Sequence, residues 1–185
     1  MEFSIEIKDA SLRFNAMHFV GVKSLTGEWR AEPLHGHDFQ VEARIESPIG
    51  LDVDGCILDF SSLRESLAEV LEGWDGRVLL SSKAPYANYF ECDDQELEIE
   101  IEFGKGVFQR WRVPQSAVRF LGGAGASTEI IAANIVDEWI ENRPIMKNFT
   151  VELRLQEAPG SCAVVKCNPC EEQFRETPEY CPGQD

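Results

Sequence analysis

The chain reads as an α+β protein, an antiparallel sheet backed by two helices, on three observations. Several segments alternate apolar and polar residues at the period of a strand, two longer ones repeat apolar residues at the period of a helix, and one pair of strand segments is joined by a hairpin-length turn. Strand-like segments run from about Glu2 to Lys8, from Ser11 to Val20 and from His37 to Ser47, the last alternating cleanly through Phe39, Val41, Ala43 and Ile45. A long loop from Gly21 to Leu34 separates the second from the third and carries Lys23, Glu28, Arg30 and Glu32. From Phe60 to Gly73 the period changes: Leu63, Leu67, Val70 and Leu71 fall on one helical face, Ser62 and Glu65 are spaced as a capping box, and Gly73 ends the helix. A second helix starts near Ser127 or Thr128, carries Ile131, Ile135, Trp139 and Ile140, and stops before Pro144. Between them Glu96 to Phe103 alternates without error, Gly104-Lys105-Gly106 turns the chain, and Val107 to Val113 returns. Pairing Phe103 with Val107 sets Glu100 opposite Arg110 and Glu98 opposite Arg112, so the polar face of this hairpin is charge-matched. Phe149 to Gln156 and Cys162 to Val165 supply two more strands around Glu157-Ala158-Pro159-Gly160.

Composition narrows the function. A chain of 185 residues is expected to form one domain, and its net charge of −16 argues against a nucleic-acid partner, which needs clustered Lys and Arg. No apolar run approaches membrane-spanning length, and Met1 to Glu6 lacks the basic-then-apolar pattern of an export signal, so a cytoplasmic protein is expected. The six cysteines are then expected as thiols rather than disulfides. Cys167, Cys170 and Cys181 lie in a tail over residues 167–185 that offers a second metal or redox site only weakly, because no second C-x-x-C and no histidine complete a ligand set.

The three histidines carry the chemistry. A strand sends residues i and i+2 to the same face, so His35 and His37 present two imidazoles side by side while Gly36 points away, and His18 needs only a neighbouring strand to join them. Three neutral imidazoles suit Zn²⁺, and three protein ligands leave a coordination position open, as in catalytic sites. The bland alternative is two surface histidines and an unrelated third in the core. Both ligand groups lie on expected strands, which favours the metal.

These residues carry a resemblance. Phe14 to Val20 with His18, His35-Gly36-His37-Asp38-Phe39, Ile57-Leu58-Asp59-Phe60-Ser61-Ser62-Leu63, Ser127-Thr128-Glu129-Ile130-Ile131-Ala132 and Leu155-Gln156-Glu157-Ala158-Pro159 together resemble the 6-pyruvoyl-tetrahydropterin synthase and 6-carboxy-tetrahydropterin synthase family, in the family's order. Residues 1–166 correspond to its single domain, with about 83–121 as an inserted hairpin region. The resemblance implies the tunnelling fold, a four-stranded antiparallel sheet with two helices on one face that assembles into an oligomeric barrel, a homotrimer or two stacked as a homohexamer. It also implies Zn²⁺ on His18, His35 and His37, and a pterin held by Glu157, with Thr128 and Glu129 as secondary contacts. The pterin role has a physical basis, since a 2-amino group beside a ring N–H is a two-donor edge that a carboxylate accepts in bidentate fashion.

The chain also departs from the family. Members usually place a catalytic cysteine a few residues before His-Gly-His and an Asp-His pair after the first helix. Here the loop from Gly21 to Leu34 holds no cysteine, and Asp75 is followed by Gly76. Glu32, three residues before His35, is the expected replacement base, with Asp75 assisting. Glu32-Pro33-Leu34-His35-Gly36-His37 resembles the branch that cleaves the dihydroneopterin side chain to 6-hydroxymethyl-dihydropterin. The expected function is a zinc-dependent lyase acting on the C6 side chain of 7,8-dihydroneopterin or its triphosphate. The alternative is a non-catalytic pterin- or purine-binding member that kept the metal site but lost the proton carriers.

Overall fold

A single strand, β1 (Phe3–His18), spans both of the first two strand segments, and it pairs antiparallel with β4 (His35–Ser47) along its whole length. In the computed structural model, which describes residues 2–92, 94–102 and 106–169, the pairing register shifts between Lys8 and Arg13. That bulge decides the site. Ahead of it Ile7 faces the core, an odd position; beyond it Leu12, Phe14, Ala16 and His18 do, all even. An uninterrupted strand of period two would have turned His18 to the other face. Gln40 secures the bulge, its side-chain amide donating to the carbonyls of Asp9 at 2.9 Å and Leu12 at 3.0 Å.

The segment from Gly21 to Leu34 is not a plain loop. It folds into a small antiparallel hairpin of β2 (Gly21–Lys23) and β3 (Trp29–Ala31), and the Glu32 N–H donates to the Val20 carbonyl at 2.8 Å. The hairpin escapes periodicity because its strands are three residues long.

Helix α1 (Phe60–Glu72) follows β4 and buries Leu63, Leu67, Val70 and Leu71, the face the spacing predicts. Its cap differs from the expected one. Asp59 is the N-cap, its carboxylate accepting the Ser62 N–H at 2.7 Å, and the Ser62–Glu65 box does not form. Both residue types cap well, and the helix begins three residues earlier than a Ser62 cap would allow.

Beyond α1 the short strands β5 (Arg77–Leu80) and β9 (Val118–Phe120) join the sheet in parallel next to β1. Between them lie β6 (Ala87–Glu91), β7 (Glu96–Glu102) and β8 (Phe108–Pro114), a separate antiparallel sheet of three strands rather than a two-stranded hairpin. The expected register of β7 with β8 is observed: Glu98 pairs with Arg112 and Glu100 with Arg110, each as an ion pair. The turn residues Phe103, Gly104 and Lys105 lie outside the described residues.

Helix α2 (Thr128–Asn142) buries Ile131, Ile135, Trp139 and Ile140, and β10 (Thr150–Ala158) with β11 (Ser161–Cys167) completes the sheet in the order β11-β10-β4-β1-β5-β9. The four antiparallel strands β11-β10-β4-β1 and the two helices are the expected unit; β5 and β9 extend it. Its apolar face packs on the helices through Phe14, Phe39, Val41 and Leu153, in one core with Trp139 of α2. The opposite face is charged and laced by pairs such as Lys166 with Glu46 at 2.8 Å and Arg44 with Glu46 at 3.2 Å. The helices are clasped to each other and to β9. The Trp139 indole N–H donates to the Ser66 hydroxyl at 2.9 Å, while Glu138 accepts from the Trp74 indole and pairs with Arg119, whose guanidinium stacks on the Trp74 ring at 4.1 Å. Of the tail cysteines only Cys167, at the end of β11, is described; Cys170 and Cys181 lie outside the described residues.

Candidate metal centre

The pairing of β1 with β4 puts His18 directly opposite His35, and His37 opposite Ala16 two residues further along. Their rings converge with centroids 4.8 to 5.2 Å apart. Glu157, near the end of β10, closes the group: its Oε1 lies 2.9 Å from His37 Nε2 and 3.3 Å from His18 Nε2. One ligand atom from each of His18, His35, His37 and Glu157 lies within 4.8 Å of all the others.

The hydrogen bonds around the rings settle which nitrogens face inward. His18 Nδ1 is 2.7 Å from the Ala126 carbonyl and His35 Nδ1 is 2.7 Å from the Pro33 carbonyl. A carbonyl can only accept, so both Nδ1 atoms carry the proton and both Nε2 atoms present a lone pair to the centre. His18 Nε2 and His37 Nε2 are buried and make no hydrogen bond. Lone pairs and a carboxylate converging without a proton repel one another, and a divalent cation removes that repulsion. The residues present therefore fit a zinc-type ion, with carbonyls as the outer partners that orient ligand imidazoles.

Charge states agree with this. Burial lowers the His18 pKa from its ordinary value, favouring the neutral ring a ligand must be. For Glu157 burial alone would raise the carboxyl, but the Thr128 hydroxyl and the surrounding imidazoles outweigh it and hold it below the usual carboxylate range. Thr128 is the first residue of α2, so its hydroxyl, bonded to Glu157 Oε2, also brings that carboxylate to the positive end of the helix.

The remaining sequence candidates are less tightly gathered. Glu32 is beside the cluster, its carboxylate 3.9 Å from His35 Nε2, with 57 % of the side chain exposed and so free to reach a molecule in the opening. Asp75 lies outside the cluster: its Oδ1 accepts the Asn15 N–H at 2.8 Å, and the Gly76 N–H donates to the Asn15 carbonyl at 2.7 Å, which locks the turn after α1 onto β1. Glu129 sits in the first turn of α2 without a side-chain partner among the described hydrogen bonds. A cleft of about 360 Å³ lies where β1 ends and β4 begins, at Met17, Gly36, His37 and Gly76. Sequence reasoning missed the carbonyls of Ala126 and Pro33, since backbone groups leave no signature in residue type. The place of Glu157 inside the imidazole cluster was also out of its reach.

Comparison with known proteins follows the same line. The sequence profile of a family described as 6-pyruvoyl tetrahydropterin synthase matches residues 7–168. Among solved structures, 6-pyruvoyltetrahydropterin synthase from Plasmodium vivax superimposes with a TM-score of 0.78 at 24% identity, covering 91% of this chain and 99% of that one. Two further structures of that enzyme carry alanine or cysteine in place of a glutamate described as a catalytic residue. The Plasmodium falciparum enzyme gives a TM-score of 0.76 at 22% identity, covering 90% of this chain and 98% of that one. An uncharacterized protein from Wolinella succinogenes has a TM-score of 0.54 at 17% identity, over 89% of this chain and 98% of that one. No curated protein sequence matches the chain significantly.

Proposed function

Because the chain belongs to the 6-pyruvoyl tetrahydropterin synthase family, we propose that it is a zinc-dependent lyase that shortens the C6 side chain of 7,8-dihydroneopterin or its phosphates to give 6-hydroxymethyl-dihydropterin. The observation that carries this reading is the inward-facing, proton-free Nε2 of His18 beside Glu157, with Glu32 the carboxylate next to the cluster at His35. His18, His35 and His37 hold the metal. Zinc bound there supplies Lewis-acid polarisation of the side-chain hydroxyls. Glu157, fixed by Thr128, accepts the two-donor edge of the pterin ring, which orients the side chain toward Glu32. Glu32 takes the C2′ hydroxyl proton as general base, the C1′–C2′ bond breaks with its electron pair passing into the conjugated ring, and C1′ is protonated as a glycolaldehyde fragment leaves. Asp75 serves by holding the β1 backbone at Asn15.

A glutamate described as catalytic in the Plasmodium vivax enzyme supports this choice of base. So does the sequence itself, which has no cysteine between Gly21 and Leu34 and no imidazole outside the cluster. The less phosphorylated substrates are favoured. The net charge of −16 opposes an approaching triphosphate, and the charge of Arg13 is shared with Asp38. We further propose a barrel of three or six copies, closed through the outer strands β9 and β11, each paired on one side only among the described residues.

The test is product identification by mass after incubating zinc-loaded protein with 7,8-dihydroneopterin and its triphosphate. 6-Hydroxymethyl-dihydropterin from the wild type, and a loss of roughly 100-fold or more in rate with Glu32→Gln, is expected. Unchanged substrate with zinc and pterin both bound selects the second reading, a non-catalytic pterin-binding member, which Gly76 at the family's histidine position favours.

A further inference from the structure

The three-stranded sheet of β6, β7 and β8 is built into the wall of the site. Its inner face, Leu97, Ile99 and Ile101, closes a second apolar core with Phe19, Val78 and Leu80, separate from the core beneath the helices. Trp29, Ala31 and Leu34, from the segment that carries Glu32 and leads into His35, pack on that same core. Tyr86 is at its centre, 4% exposed, its ring 5.3 Å from that of Trp29 and edge-on to Phe19 at 5.9 Å.

Two close approaches give Tyr86 a particular role. A Cβ on Gly21, the first residue of β2, would lie 2.1 Å from Tyr86 Cε1, so the ring is pressed against the backbone at the root of the β2–β3 hairpin and only glycine fits there. A Cβ on Gly125 would lie 3.0 Å from the Tyr86 hydroxyl oxygen, and Gly125 precedes Ala126, whose carbonyl orients His18. The Tyr86 carbonyl accepts the Glu102 N–H at 3.0 Å, which ties this residue to β7. One side chain thus touches the backbone on both flanks of the metal cluster, and its residue is tied to β7.

We propose that Tyr86 is a positioning residue: a wedge, braced by the three-stranded sheet, that sets both the hairpin leading into Glu32 and the Ala126 carbonyl that aims His18. This rests on the metal-site reading above. The ring is the working part, since it fills the space at Gly21, and the hydroxyl spaces Gly125.

The test measures zinc affinity of the full chain by competition with a chromophoric chelator, with folding checked by far-ultraviolet circular dichroism. Tyr86→Phe keeps the wedge and binds zinc within about threefold of wild type. Tyr86→Ala weakens binding by roughly 10- to 100-fold, the size of effect that loss of an outer partner of a metal ligand produces. Gly21→Ala has a comparable effect on its own and adds nothing to Tyr86→Ala, where the ring it collides with is gone. Leu97→Ala is the control: it thins the same small core away from both glycines, lowering the urea midpoint while zinc affinity stays within about threefold. If Tyr86→Ala fails to fold, Gly21→Ala and Tyr86→Leu carry the same expectation. Wild-type affinity in Tyr86→Ala, or an equal loss in Leu97→Ala, overturns the proposal while leaving the metal site standing. A wild-type protein that takes up no zinc overturns both.

Discussion

Replacing Glu157 by glutamine tests the ring-binding role most directly, because the two side chains share a shape and differ in charge and donors. A carboxylate accepts both N–H groups of the pterin edge; the amide accepts one and turns its own NH₂ toward the other. The loss has two parts: a charge-assisted hydrogen bond, about 1.5–3 kcal/mol, and a donor left unpaired, about 1–3 kcal/mol. The Glu157 side chain keeps 25% of its surface exposed, so water relieves some of the second part, and a total of about 2–4 kcal/mol is expected. That corresponds to roughly 30- to 1,000-fold weaker binding. Calorimetric titration of zinc-loaded protein with a dihydropterin that lacks a cleavable side chain reads this directly, with zinc content measured on the same samples. Binding within about threefold of wild type would refute the reasoning. Loss of zinc together with pterin would move Glu157 from the ring to the metal, which its 2.9 Å approach to His37 also permits.

Three further outcomes follow from the same geometry. Burial lowers the His18 pKa, so the unfolded chain binds more protons than the folded one near the ordinary imidazole value of 6.5; stability of chelator-treated protein is full above that value and falls as pH drops below it. Urea midpoints at about pH 7.5 and about pH 5.5 should therefore differ more for wild type than for His18→Leu, and equal differences would contradict the assignment. Glu138→Leu strips partners from both the Trp74 indole and Arg119, costing about 2 kcal/mol in denaturant unfolding, discounted from a fully buried pair because both charged groups stay over a quarter exposed. Gly76→Ala places a side chain at φ +69°, in otherwise open space, and should cost about 1 kcal/mol by the same measurement.

Much of the architecture was legible because it rests on local periodicity. The strand alternation of β4, the helical faces of α1 and α2, and the β7–β8 register with Glu98 opposite Arg112 each depend on neighbours a few residues apart. Strands β2, β3, β5 and β9 were not, because three or four residues are too few to show a period and their pairing comes from distant segments. The α1 cap was misplaced for a related reason: Asp59 and Ser62 both offer a suitable oxygen, and only the helix start decides between them.

The amino-acid sequence by itself determined which side chains could meet a metal, since it holds three imidazoles and the i, i+2 spacing of His35 and His37 commits them to one face. The tertiary structure decided that His18 joins them, through a bulge between Lys8 and Arg13 that reverses the facing of every later residue in β1. It also decided that Glu157 and Thr128 close the group, and that the carbonyls of Ala126 and Pro33 fix which nitrogens point inward. The physical reason is range: side-chain facing follows from a strand's own repeat, whereas parity across a bulge, and contacts between residues a hundred apart, are set by how the whole sheet and its helices pack.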